Sequence, residues 1–585
     1  MVLSVLGLAV GPTLVALGRG RRFLGAWVEG FALGVVPALL LLRLVPHVVE
    51  GAGALGVVLV AVGFGLLWWA DQRNHALGHA HDDANPGAER AAAWVVGALV
   101  LHALSDGAGL AMAVGGGASG AHEDHSLGLA VLIHRLPEGL FLTTAFLPRL
   151  GWPRTLARLA LLGAGTVAGA LLGRGLLSVV PDAFFDGVVA LGAGAMLRLS
   201  VHSHNPMPRT PGARAASAVG LLMGLGLAVF LPDPESLLRR AQADELSTVE
   251  ALVPLVIETS PAALVGILWT ALLRPPRATP AVPPGRLTRA LMGLRLAVTR
   301  PGWSGRSLEA LKVTLGGPGG VALAVTLGTA LPLFEPVGLS LLFRLLGPAM
   351  GGVRVLGAAL ASLAAGLAAS AVASREGFRR VHPRAFSLRP GALKAATVQE
   401  PTGFGARLLG ALDAAAPWYV TGLTLAVALE AAVDPRWVAR LPGGLTGALL
   451  GALVGVPVYL SQHAAVLVVA VLVHKGLSPG AGLALLVTAS ALDRGRIAAV
   501  RQRLGLWPVV AWVLVVVAAA AGLGALGDRW VGRATVPEVH LLVAHRHAPA
   551  ELVAATLLAA GLLVSLVRNG PRRWFGMLQG DNVAP

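Results

Sequence analysis

The sequence predicts an all-α polytopic integral membrane protein. Hydrophobic residues make up 55% of the 585 positions and charged residues only 13%, whereas about one-quarter of an ordinary soluble domain is charged. Apolar stretches of about 20 residues, each long enough to cross the hydrocarbon core of a bilayer, recur from end to end. A membrane span must satisfy its own backbone hydrogen bonds, and the sequence shows no short alternating strands of a barrel, so helices are expected.

Charge and cysteine content narrow the class further. The formal net charge is +16 at pH 7. The arginines concentrate between the apolar runs, where they set topology and face anionic lipid, so we expect membrane lipid and no nucleic acid as a partner. The chain has no cysteine, which excludes disulfides and thiolate metal ligands.

The first half contains eight apolar segments and is expected to form an eight-helix bundle over residues 1–232. The connections between the segments alternate in arginine content, which supports this number and places the N-terminus outside the cell. A polar linker, 233–250, follows the bundle. The segments are 2–18, 24–45, 52–70, 93–116, 126–147, 156–174, 178–199 and 215–232.

A second helical unit is expected over residues 251–570, followed by a tail at 571–585. It contains two basic loops, 274–312 and 375–410, which the positive-inside rule places in the cytoplasm. Its apolar runs are 251–273, 313–334, 337–350, 352–373, 416–433, 443–460, 462–474, 478–492, 506–526 and 550–567.

Two segments of the first half each carry a histidine followed by a carboxylate residue. His102 precedes Asp106, and His134 precedes Glu138, by four positions. This spacing puts both side chains on one helix face, a turn apart. Imidazole and carboxylate ligands suit zinc, iron(II) or manganese, and ionisable groups in apolar spans are costly without a partner. The four side chains therefore predict an intramembrane metal site, with hydrogen bonds between helices as the alternative.

A histidine-rich connection follows the third segment. It carries His75, His79 and His81. Such a tract can bind metal weakly, and a solvated polar loop is the alternative interpretation.

These features together resemble the ZIP family of divalent-metal transporters over residues 1–232. The runs His-Ala-Leu-Ser-Asp-Gly at 102–107 and His-Arg-Leu-Pro-Glu-Gly at 134–139 are similar to the motifs of the family's fourth and fifth helices, and the run that ends at His202 is similar to its seventh. The resemblance implies transport of a divalent cation, with zinc as the expected ion. It implies one primary metal site, formed by His102, Asp106, His134 and Glu138.

Two departures from the family pattern affect a second metal site. Ala103 stands where the family has Asn, and Arg135 stands where it has a carboxylate. An alanine cannot coordinate a metal, and a guanidinium repels a second cation at close range. Arg135 is therefore expected to tune the primary site by pairing with Asp106 or Glu138. The alternative is that Arg135 blocks transport.

The second half resembles predicted permeases of the type that includes the ArsP organoarsenical efflux proteins. Gly-Val-Pro at 455–457 and Lys-Gly at 475–476 carry the match, and the stretch 328–347 resembles a degenerate first copy. Interruptions at Pro332 with Pro336, and at Pro457, indicate internal repeats with broken helices, a common transporter design. Without cysteine, thiolate binding of arsenic(III) by this chain is excluded.

The candidate pathway residues of this half lie near the interruptions. Glu335 stands between two prolines inside an apolar stretch, so the cost of burial favours a functional role. Asp493 adjoins Arg494, and a salt bridge is expected there. The candidates are Glu335, Gln462 and His463, with Glu258 and Asp493 as further positions.

The expected function is transmembrane transport of a divalent cation, without enzymatic activity or a cofactor, by a multi-pass protein of the cell membrane, expected to be a bacterial inner membrane. A homodimer is an expected assembly. One alternative is a permease that acts through the second half, with the first half as a metal sensor or scaffold. Another is an intramembrane metallohydrolase, which the absence of an HExxH run disfavours.

Overall fold

The protein is described by a computed structural model in which every regular element is a helix. The structure describes residues 2–18, 21–41, 45, 53–76, 96, 97, 99–101, 103, 104, 107, 124–176, 182–201, 210–230, 248–273, 283–299, 320–375, 403–531 and 548–579. Within this part of the chain, seven helices are long and apolar enough to cross a membrane. The all-α membrane class expected from the composition is therefore confirmed.

The chain divides into two compact units. The first consists of residues 1–250 with 431–433 and 566–575, and the second contains 251–430, 434–565 and 576–585. The helices described in the N-terminal 250 residues are α1 Val2–Gly18, α2 Arg22–Leu39, α3 Ala54–Ala76, α4 Asp124–Leu176, α5 Asp182–Val201 and α6 Pro211–Phe230, while α7 Thr248–Leu272 begins at the boundary.

Glycine allows the helices of the first unit to pack closely. A Cβ added at Gly30 in α2 would lie 1.9 Å from the carbonyl oxygen of Ser217 in α6, and one at Gly220 would lie 2.1 Å from that of Trp27. Small residues of this kind let backbones approach in lipid, where association depends on close packing rather than on the hydrophobic effect. The α2–α6 pair is therefore held by backbone proximity.

Helix α4 joins two segments that the sequence separates. Its only non-helical backbone lies at Gly151, with φ 71° and ψ 173°, so it consists of two helices that meet at a bend. The expected segments 126–147 and 156–174 lie on either side of this glycine. The fourth expected segment, 93–116, lies mostly outside the described residues.

The second unit contains the remaining helices, several of them short. Its core includes the fully buried Trp512 together with leucine, valine and alanine side chains. The helices are α8 Arg286–Thr299, α9 Gly320–Leu333, α10 Pro336–Arg375, α11 Phe404–Ala432, α12 Pro435–Ala439, α13 Gly444–Gly455, α14 Gln462–His474, α15 Pro479–Ala491, α16 Arg494–Leu504, α17 Leu506–Trp530 and α18 Pro549–Asn569, followed by α19 Pro571–Gly576 in residues that pack with the first unit.

The second unit contains an internal repeat. In the first copy, α9 is followed by a break, a short helical segment, the left-handed Gly347 (φ 79°, ψ 167°) and a long helix. In the second copy, α15, a break, α16, the left-handed Gly505 (φ 85°, ψ −174°) and α17 follow in the same order and with the same spacing. The features of 320–375 thus recur over 479–530 rather than around Pro457, which lies in the connection between α13 and α14.

The two expected basic loops and the tail contain helices. Helix α8 lies within the expected loop 274–312. It buries one face, and the helical periodicity of this face is obscured in the sequence by the many arginines around it. The buried residues are Ala290, Gly293, Leu296 and Ala297. Helix α11 begins at Phe404, before the end of the expected loop at 410. Helix α19 and the short 3₁₀ turn Met577–Gln579 occupy part of the expected tail.

Candidate functional site

The first helix break of the second unit is closed by a carboxylate. Helix α9 ends at Leu333, and α10 begins at Pro336. Proline is well suited to the first position of a helix, because the N–H that it lacks would have no partner within the helix there. Glu335 occupies the capping position: its Oε1 accepts a hydrogen bond from the backbone N–H of Val337 at 3.1 Å, and its Oε2 accepts one from Gly338 at 2.8 Å. These bonds satisfy donors that the start of a helix leaves unpaired.

A second break brings a histidine to this carboxylate. The connection 456–461 separates α13 from α14, and His463 lies in the first turn of α14. Its Nε2 is 2.8 Å from Glu335 Oε2, and each residue is only 6% exposed. The other ring nitrogen, Nδ1, is 3.3 Å from the hydroxyl oxygen of Ser461. Two candidates that are distant in sequence therefore meet where two helices are broken.

The third candidate, Gln462, lies against α10 beside the same break. A Cβ added at Gly338 would lie 2.3 Å from Gln462 Cγ, so the glycine provides the space that the glutamine side chain fills. Gln462 is 2% exposed, and neither its Oε1 nor its Nε2 has a hydrogen-bond partner among the described residues. A buried amide without partners is costly.

The structure adds a residue that the sequence analysis does not single out, Arg354. It is fully buried in α10, and its Nη1 donates a hydrogen bond to the carbonyl oxygen of Leu333, at the end of α9. Its Nε and Nη2 have no hydrogen-bond partner among the described residues. The sequence does offer an indication of this residue, since Arg354 lies inside the apolar run 352–373. An ionisable residue within a membrane span is a functional candidate by default.

At the corresponding break of the second copy, the charged side chains bond to each other and to the backbone. Asp493 caps α16 by accepting hydrogen bonds from the backbone N–H groups of Gly495 at 3.2 Å and Arg496 at 3.3 Å. The Arg496 side chain approaches Asp493 Oδ2 at 3.4 Å and donates to the carbonyl oxygens of Gly328 at 2.8 Å and Ser490 at 3.1 Å. This arginine therefore joins α9 to α15 and acts as a structural link.

Two further residues named from the sequence, Arg494 and Glu258, take peripheral positions. Arg494, the expected partner of Asp493, points its Nη2 to the carbonyl oxygen of Pro457 at 3.4 Å. Glu258 lies half-buried in α7, where its backbone carbonyl accepts a hydrogen bond from Arg344 Nε at 3.4 Å. Neither Asp493 nor Glu258 joins the cluster around Glu335.

In the first unit, the structure describes one side chain of the expected metal site, Glu138. Its Oε2 lies 2.7 Å from Arg135 Nη1, both residues are buried, and its Oε1 has no hydrogen-bond partner among the described residues. The described part of the chain contains no group of three or more metal-binding side chains. Outside the described residues lie His102, Asp106, His79, His81 and His202, together with the side chains of His75 and His134.

The glycines of the two motifs have a packing role that the sequence analysis misses. A Cβ added at Gly139, next to Glu138, would lie 2.4 Å from the carbonyl oxygen of Leu8 in α1. One added at Gly107 would lie 2.0 Å from the carbonyl oxygen of Thr166 in α4. Each motif glycine thus marks a close helix crossing directly after a carboxylate position.

Comparison with known proteins supports the interpretation of the second unit. Residues 314–526 match the model of the ArsP_1 family, a predicted permease. The match covers the first copy of the internal repeat, all but the last four residues of the second copy, and all three helix breaks. No curated protein and no solved structure matches the chain. The resemblance of residues 1–232 to the ZIP family has no such match and stays a prediction.

Proposed function

We propose that the permease domain, residues 314–526, moves a solute across the membrane along a path through its helix breaks, with Glu335 and His463 at the polar centre. The observation that carries this proposal is the buried contact between these two side chains at the junction of α9, α10 and α14. Transporters commonly bind their solutes where membrane helices are discontinuous, because freed backbone groups and helix ends face the path there.

The cost of burying these groups supports a role beyond stability. An ionisable pair in a membrane interior is expensive, and replacement of such a pair by apolar residues is often neutral or stabilising. The start of α10 is capped without His463, since Glu335 already accepts two backbone hydrogen bonds there. A structural role alone therefore does not account for the histidine at 2.8 Å.

The test is solute flux in proteoliposomes that contain the full chain. Acetate, phosphate, sulfate and methylphosphonate are compared with zinc, iron(II), manganese and cadmium as solutes. We expect saturable flux of at least one solute, which Glu335→Gln reduces at least about tenfold because it removes the charge that pairs with His463. The matched control is Glu551→Gln, the same change of a carboxylate to an amide in a surface pair with Arg344, which should leave flux unchanged. Equal flux in the two variants would contradict the proposal.

A second candidate is divalent-metal transport by residues 1–232, with zinc as the expected ion. It is favoured by the buried Glu138, whose Oε1 is left without a hydrogen-bond partner among the described residues while Oε2 is held by Arg135. In the same liposomes, saturable zinc uptake should disappear in a chain with both His102→Ala and His134→Ala and persist in Glu335→Gln. The reverse pattern would assign metal flux to the permease domain instead.

A further inference from the structure

The cluster around Glu335 contains more hydrogen-bond donors than acceptors. The Glu335 carboxylate is occupied, because two backbone N–H groups donate to it and His463 lies against it. Three donor nitrogens beside it have no partner among the described residues, namely Nε and Nη2 of Arg354 and Nε2 of Gln462. Arg354 and Gln462 have one unpartnered acceptor among the described residues, Gln462 Oε1, while His463 Nε2 makes no hydrogen bond besides its 2.8 Å approach to Glu335.

Arg354 is the residue of the cluster whose charged group is least satisfied by hydrogen bonds among the described residues. The Glu335 carboxylate is held by His463 and by the start of α10 and lies close enough to Arg354 to interact with its charge. Among the described residues, the hydrogen bond of Arg354 goes to the carbonyl oxygen of Leu333. A buried guanidinium with two unpaired nitrogens is strongly disfavoured unless an anion joins it. The Nε and Nη2 groups of Arg354 are therefore available to donate hydrogen bonds to an anionic ligand.

The start of α14 also favours an anion. Helix α14 begins at Gln462, and the side chain of its capping residue, Ser461, makes no capping hydrogen bond. The first N–H groups of a helix and its dipole form a favourable environment for anions. Here this general feature coincides with two side chains, Arg354 and Gln462, that are each at least nine-tenths buried and that each carry donor nitrogens without a partner among the described residues.

We propose that the solute carries an anionic oxygen group, such as a carboxylate, phosphonate or phosphate, that binds at the start of α14 and is contacted by Arg354 and Gln462. The proposal rests on the transport function above and specifies its substrate class. Arg354 supplies a planar pair of donors that suits two oxygens of one anion. Gln462 supplies a third donor, and Gly338 provides the space in which its side chain lies.

The test measures anion binding to the full chain in neutral detergent, without any requirement for flux. Acetate, phosphate, sulfate and methylphosphonate are titrated, and the midpoint of thermal unfolding is followed. We expect a saturable rise for at least one of them, because a ligand of the folded state alone stabilises it. Gln462→Glu keeps the shape of the side chain but adds a negative charge, and should weaken the apparent affinity at least about tenfold.

The matched control is Gln502→Glu, the same substitution at an exposed position of α16, which should keep wild-type affinity. Arg354→Lys, which retains the charge but loses the planar pair of donors, should also weaken binding. A non-specific effect of salt would raise all midpoints in parallel without saturation, and that result would overturn the proposal. Protection by phosphatidylglycerol micelles alone would also overturn it, because the anion would then be a lipid headgroup rather than a solute.

The two proposals fail in different ways. Saturable anion binding that Gln462→Glu weakens, without flux in liposomes, would leave the anion site in place and refute transport. Flux that depends on Glu335, without saturable binding of any tested anion, would leave transport in place and refute the anion site.

Discussion

Gly338 is the position where one added methyl group tests the geometry of the break. In Gly338→Ala, the new Cβ would lie 2.3 Å from Gln462 Cγ and 2.8 Å from both its Cβ and its Cδ. These atoms belong to the base and middle of the glutamine side chain, so rotation of the terminal amide does not relieve the clash. Either Gln462 leaves its position or α14 moves away from α10.

The magnitude follows from two opposing terms. Overpacking of a well-packed interior costs about 1–3 kcal/mol, while alanine in a helix is favoured over glycine by about 1 kcal/mol. We therefore expect a net destabilisation of about 0–2 kcal/mol. Function should suffer more than stability, because displacement of Gln462 removes a donor from the site, and flux should fall at least about tenfold.

The control is Gly352→Ala in the same helix, where an added Cβ would have no neighbour within 4 Å. This variant gains helix propensity without a clash, so it should be about 0.5–1 kcal/mol more stable and keep wild-type flux. Thermal unfolding in detergent and flux in liposomes are measured for both variants. If Gly338→Ala matched Gly352→Ala in both assays, Gln462 would not lie against α10 as the structure shows.

Two further predictions concern stability. Asp528→Ala removes a carboxylate that accepts hydrogen bonds from Gly444 at 2.7 Å and Gly480 at 2.6 Å, near the starts of two helices. The free energy of unfolding, followed by thermal unfolding, should therefore fall by about 1–4 kcal/mol, and an unchanged midpoint would show that neither helix start depends on Asp528. Arg135→Met leaves the buried Glu138 without this ion pair and should lower the free energy of unfolding by about 3–5 kcal/mol, most of which Glu138→Met in the same chain should restore. A double variant no more stable than Arg135→Met alone would refute this pairing.

Much of the second unit could be predicted from hydropathy and proline. The run 462–474 has the same bounds as α14, and 478–492 differs from α15 by one residue at each end. The interruption between Pro332 and Pro336 is the break between α9 and α10. These features are local, because a proline that lacks an N–H and a continuous apolar run act within a few residues.

Helices with polar faces were missed for a physical reason. Helices α8 and α16 contain several arginines each, so their average hydropathy resembles that of a loop, although α8 buries one face and α16 buries Arg496. Arg354 was overlooked for the converse reason, since a single charge does not interrupt a long apolar run. Partner and burial decide the role of an arginine, and neither is visible in a one-dimensional pattern.

The contact between Glu335 and His463 could be anticipated only in part. Their burial and their position near breaks made each a candidate, but their pairing requires that the start of α14 lies against the start of α10. That approach depends on Gly338, which faces Gln462. A glycine one turn inside a helix gives no indication of its neighbour in the sequence.

The two copies of the internal repeat differ in how well their helix breaks satisfy their polar side chains. By spacing from the capping carboxylate, Gly338 in the first copy corresponds to Arg496 in the second, and Arg354 corresponds to Trp512. Arg496 fills its position and satisfies the surrounding carbonyl groups, and the indole N–H of Trp512 is bonded to a threonine hydroxyl at 2.9 Å. In the first copy the glycine leaves room for Gln462, and the arginine has two nitrogens without a hydrogen-bond partner among the residues that the structure describes. Because the two copies differ at these positions, unpartnered donors remain at the first break in the described part of the chain, whereas Arg496 and Trp512 are hydrogen-bonded at the second; the proposed anion site follows from this difference.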